Sequence, residues 1–82
     1  MGVSTRSFHS EPYQRFLRRL RRARQESMLT QSQVAERLRR PQSYVSKCES
    51  GERRVDVIEL AEFATLYGRK LEYFVGAVKP AR

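Results

Sequence analysis

Pro41 stands between two short runs of helical periodicity and leaves them no room for a loop of any length. In Thr30 to Gly51, TQSQVAERLRRPQSYVSKCESG, Val34, Ala35 and Leu38 make one apolar face before the proline, and Val45 and Cys48 make another after it. Thr30 and Gln33 have capping-box spacing: the hydroxyl can accept from the Gln33 amide while the Gln33 side chain reaches back to the Thr30 N–H. Proline has no amide proton and disfavours helical geometry in the residue before it. The first helix is therefore expected to end near Arg39 or Arg40, with Pro41 itself opening the next. Gly51 suits the positive φ that often follows a helix C-terminus. The second helix turns Gln42, Ser43, Ser46 and Lys47 outward, so its free edge is made of hydrogen-bonding groups.

The flanking sequence extends the helical pattern. Pro12 suits a first turn, and Tyr13, Phe16, Leu17, Leu20 and Ala23 recur at three- and four-residue steps. The other faces of that helix carry Arg15, Arg18, Arg19, Arg21, Arg22 and Arg24, which read either as a solvated surface or as a polyanion-binding one. Beyond an exposed Glu52-Arg53-Arg54 loop, Asp56 and Glu59 repeat the capping-box spacing. A helix then buries Ile58, Ala61 and Ala64, with Leu60, Phe63 and Leu66 as further inward positions, and Gly68 ends it. A last short helix lies near Lys70 to Val75, where Leu71 and Phe74 close the core. Tyr73, Val75 and Val78 are left as apolar surface that suggests a dimer contact, and Phe74 adjoins them. Residues 1–11 read as a flexible tail, 12–78 as one domain and 79–82 as a frayed end.

Eighty-two residues hold one small domain with a modest core, which disfavours a catalytic domain with a deep pocket. The net charge of +8 is unevenly placed. Residues 1–54 carry 13 Lys or Arg against 5 Asp or Glu, and residues 55–82 carry 4 of each, so one end suits a polyanion. The single Cys48 has no intramolecular disulfide partner and reads as a small hydrophobe. His9 has no neighbouring ligands, so neither a metal nor another cofactor is expected. No apolar run approaches bilayer length and the N-terminus lacks the apolar segment of a signal peptide, giving the expectation of a cytoplasmic protein without membrane attachment.

Several spaced elements together resemble the lambda-repressor-like, or Xre-type, helix-turn-helix family of phage and bacterial DNA-binding regulators. They are Leu20-Arg21-Arg22-Ala23-Arg24, Leu29-Thr30-Gln31, Val34-Ala35, Gln42-Ser43 and Glu49-Ser50-Gly51, and the likeness spans roughly residues 13 to 75. Met28 and Arg39 stand where members usually carry Gly, and Pro41 where they carry a small capping residue. The resemblance implies an all-α, compact five-helix domain that regulates transcription as a nucleoid-associated repressor, reading the major groove of a pseudo-palindromic duplex as a homodimer.

On that reading Gln42 contacts a base, since its amide pairs donor and acceptor with N6 and N7 of adenine; Ser43 offers a shorter contact, and Lys47 reaches guanine or a phosphate. Gln31 lies among amides unpaired within its helix, a phosphate-clamp position. By resemblance it also braces Gln42. Arg39, Arg40, Ser46, Arg53 and Arg54 are expected on the phosphate backbone, and Tyr44 either stacks over the turn or bonds a phosphate. Also by resemblance, Arg24 and Glu49 pair to set the angle of the reading helix. Alternatives are an antitoxin with a small protein partner, an interaction module that no longer reads DNA, and a basic amphipathic segment on anionic membranes. An enzyme fits worst, since no nucleophile has a partner.

Overall fold

The computed structural model describes residues 9–76, which form five α-helices: α1 Glu11–Glu26, α2 Gln31–Leu38, α3 Gln42–Ser50, α4 Val57–Tyr67 and α5 Leu71–Val75. No strand occurs among the described residues. Val78 and the expected 79–82 tail lie outside them. The first helix begins earlier than Pro12, because the Ser10 hydroxyl accepts from the Tyr13 amide and caps it. His9 is not tail either. Its ring lies 4.7 Å from that of Tyr13, and Nε2 bonds the carbonyl of Gly51.

Both capping boxes form. Thr30 and Gln33 exchange bonds of 3.1 and 2.9 Å at the head of α2, and Asp56 and Glu59 exchange bonds of 2.8 and 3.0 Å at the head of α4. The α2–α3 turn is reached differently from expectation. Arg39 takes the left-handed conformation at φ 59°, ψ 47°, and Pro41 is an extended cap before α3 rather than its first helical residue. The missing proline amide costs nothing there, and the Pro41 carbonyl accepts from Tyr44 N at 3.0 Å. At the far end of α3, Gly51 at φ 87° is packed so closely that a Cβ would lie 2.9 Å from the His9 ring and from a Leu17 methyl.

The core joins Phe16, Leu17, Leu20 and Ala23 of α1 to Val34, Ala35, Val45, Cys48, Phe63, Ala64, Tyr67 and Phe74. Two apolar residues expected inside face outward: Ile58 is 66% exposed and Leu71 43%. The inward stripe of α4 runs through Glu59, Phe63, Ala64 and Tyr67, so Ile58, one position before Glu59, is turned away from the core. Phe74 is fully buried within the chain, which removes it from the expected subunit contact.

Candidate nucleic-acid interface

Burying Val45 and Cys48 completely fixes which side of α3 is left free. Gln42, Ser43, Lys47 and Ser50 are exposed on that side and Ser46 is half-buried, so the polar edge stands out from the molecule. Burial pushes the Cys48 thiol up from its ordinary pKa, as suits a packed hydrophobe.

The reading glutamine is held by a chain of side chains that starts in α1. Arg24 grips both carboxylate oxygens of the buried Glu49, Nε at 2.7 Å and Nη2 at 3.1 Å. Its Nη1 donates to the carbonyl of Leu29, just ahead of α2, at 3.0 Å. Gln31 Nε2 then donates to Glu49 Oε1 at 3.0 Å, and Gln31 Oε1 accepts from Gln42 Nε2 at 3.4 Å. One amide proton and the carbonyl of Gln42 remain for an outside partner. Gln31 thus spends both ends of its side chain inside the chain, and the backbone amides that open α2 are left unpaired within the helix.

The flanking cations differ in what already holds them. Arg39 is exposed. Arg40 lies 4.4 Å from the Tyr44 ring centre, with Nη2 3.7 Å from Glu62. Arg53 packs 4.8 Å from the same ring, and its two terminal nitrogens meet both oxygens of Glu59 at 2.9 and 2.8 Å. That fork leaves Arg53 a helix-to-loop clasp instead of the open phosphate donor expected. The Arg53 guanidinium and the Asp56 amide hold the Glu59 carboxyl down at a pKa of about 2. Arg54 stacks on Tyr13 at 4.4 Å, with Nη1 3.5 Å from His9 Nδ1.

Tyr44 resolves toward stacking. Its ring lies parallel to Phe63 at 6.1 Å, and its hydroxyl is buried without a hydrogen-bond partner among the described residues. Burial raises that hydroxyl to a pKa of about 12. At the C-terminal end, the Tyr73 hydroxyl donates to Glu26 at 3.1 Å and the ring lies beside Arg19 and Arg69, whereas Val75 is 41% exposed. The apolar surface left open is instead that of Val57 and Ile58 at the head of α4, with Leu71 and Val75 of α5. Arg21, one of the six arginines of α1, has a role that its place on the basic face does not reveal. Its Nη1 donates to the Glu49 carbonyl at 2.8 Å, a contact that only the α1–α3 packing creates.

Two short helices joined by a tight left-handed turn, the second with a braced polar face beside a row of cations, define a helix-turn-helix unit of the kind that reads DNA. Residues 15–72 match the helix-turn-helix domain family. A solved structure of an XRE-family like protein from Pseudomonas syringae pv. tomato str. DC3000 is similar with a TM-score of 0.73 and 42% identity, covering 87% of this chain and 89% of that one. No curated protein matches the sequence. The chain belongs to the Xre-type helix-turn-helix family and is in general terms a DNA-binding regulator. Among the described residues no helix is long and apolar enough to cross a membrane.

Proposed function

We propose that the protein is a sequence-specific transcriptional repressor that binds double-stranded DNA as a homodimer, with α3 in the major groove. The observation that carries this reading is the bracing of Gln42 by Gln31 and, through it, by the buried Glu49. A base-reading amide must present donor and acceptor in a fixed plane, and a side chain tethered through one of its protons has fewer rotamers to lose on binding. Ser43 and Lys47 flank it on the same outer edge. The α2 amides with Arg39, Arg40, Ser46 and Arg54 supply contacts to phosphates, which set register without reading sequence.

Two copies are needed because one unit covers few base pairs, and a pair spans half-sites about 34 Å apart. The apolar surface at Val57, Ile58, Leu71 and Val75 is the dimer face that best fits this role, since it belongs to the charge-neutral part of the chain. Selection of duplexes from a random pool tests the reading. The expected yield is a two-fold symmetric motif with an adenine in each half-site, at which Gln42→Ala loses about 1–3 kcal/mol of discrimination. Recovered duplexes without shared sequence would refute it.

A further inference from the structure

Some arginines of the described residues are held by carboxylates and others by groups without one, Arg19 among the latter through the Tyr73 carbonyl on α5 at 3.1 Å. Arg22 and Arg69 share Glu26, Arg24 holds Glu49, Arg40 lies near Glu62 and Arg53 holds Glu59, all with a carboxylate oxygen within 3.7 Å. Arg21 and Arg54 are likewise anchored without a carboxylate: Arg21 on the Glu49 carbonyl at 2.8 Å, Arg54 near His9 Nδ1 at 3.5 Å and over the Tyr13 ring. Both anchors lie at one place, the C-terminal end of α3. Glu49 is in its last turn, and the His9 ring that meets Arg54 also bonds the carbonyl of Gly51, which caps it.

From this we infer that Arg21 contacts a DNA phosphate, forming with Arg54 a two-sided clamp at the far end of the reading helix, and that Arg53 takes no part in it. The inference rests on the DNA-binding reading above. A guanidinium has five N–H donors, so one bond to a carbonyl positions Arg21 and leaves donors for an incoming oxyanion at undiminished charge. Arg53 differs in charge, because the Glu59 carboxylate already neutralises it, and its terminal nitrogens already donate to Glu59 and to the Arg54 carbonyl. Arg21 comes from α1 and Arg54 from the loop after α3, so the two hold the helix end from separate parts of the chain.

The test is the salt dependence of binding by the full chain, with a selected duplex and an unrelated duplex as probes. Each neutralised phosphate contributes about 0.9 to the slope of log K against log salt. Arg21→Gln keeps an N–H for the Glu49 carbonyl but removes the charge. It is expected to fold, to lower that slope by about 0.9 and to weaken both duplexes alike. Arg21→Lys is expected to keep the parent slope, and Arg53→Gln to keep the slope while lowering the melting temperature. An unchanged slope in Arg21→Gln would mean that Arg21 only caps the helix and would overturn the assignment. If Arg21→Gln does not fold, Arg21→Met, which removes the charge and keeps the apolar stem, is read in its place: a slope lowered by about 0.9 supports the contact and an unchanged slope overturns it. A parent protein that binds neither duplex would overturn the DNA-binding reading itself, whereas a parent that binds with an Arg21→Gln slope equal to its own overturns only the clamp.

Discussion

Arg24 and Glu49 meet in a two-point ion pair that ties α1 to the last turn of α3, with the carboxylate 2% exposed and the guanidinium 15%. Removing one member of a buried pair strands the other charge, at about 3–5 kcal/mol. Glu49→Ala should therefore lower stability by about that much in a denaturant titration. Because Gln31 loses its anchor with the carboxylate, DNA affinity should also fall further than the distance of Glu49 from the bases suggests. Glu49→Gln, which keeps the shape and a bond to Gln31, should recover much of the affinity at temperatures where both variants are folded. Equal affinity for the alanine variant and the parent would show that the pair does not orient α3.

Met28 and Arg39 both hold φ at 59°, in the left-handed region where a Cβ is strained. Such strain costs on the order of 1–3 kcal/mol, while glycine forfeits about 0.5–1 kcal/mol in unfolded-chain entropy. Met28→Gly should stabilise the fold by about 1 kcal/mol, a rise of roughly 4–8 °C in melting temperature for a domain this small. Its side chain is 87% exposed, so almost no packing is lost. Arg39→Gly should stabilise similarly yet weaken DNA binding by the loss of one cation. A lower melting temperature in Met28→Gly would show that the strain is absent.

Helix ends are the part of the fold most legible in the sequence. Capping boxes and the Gly51 and Gly68 stops are local signals, written within four residues of the backbone they shape, and each appears in the structure at the expected place, whereas Pro41 breaks the helices as expected but caps α3 instead of opening it. Arg24 with Glu49, and Gln31 with Gln42, were legible only through family resemblance, since 25 and 11 residues separate the partners. What escaped depends on the angle between helices. Whether Ile58 faces in or out turns on which stripe of α4 meets Tyr44, and six arginines in sequence along α1 look alike until one of them finds the Glu49 carbonyl. Glu59 showed itself as a capping residue, but its grip on Arg53 needed the loop to fold back on α4.

Glu59 also predicts how the fold responds to acid. Its carboxyl titrates near 2 in the folded chain against an ordinary 4.5, chiefly because the Arg53 guanidinium and the Asp56 amide bind the charged form. A depressed carboxylate pKa means the unfolded chain takes up protons first. The stabilisation is therefore complete above about pH 4.5 and is lost as pH falls toward 2. Melting temperature should drop across that window in the parent and drop less in Glu59→Gln, which starts lower at neutral pH. Glu26 is held down in the same sense, first by Arg22 and then by Arg69, but it is solvent-exposed and adds little. Parallel acid curves for parent and variant would remove Glu59 as the titrating group.

Ile58 offers the sharpest test of pairing, because it is 66% exposed and a charge placed there does not enter the core. A buried two-fold contact brings each copy of the residue close to the other molecule, so Ile58→Glu introduces two like charges into an apolar seam. The variant should melt at the parent temperature within experimental scatter and should bind an isolated half-site as the parent does. On the full symmetric site it should lose cooperative occupancy, seen as two independent shifts in an electrophoretic titration where the parent gives one. The same substitution at Val75, 41% exposed on α5, should act in the same direction if the seam extends that far. Full cooperativity in Ile58→Glu would move the subunit contact off the head of α4.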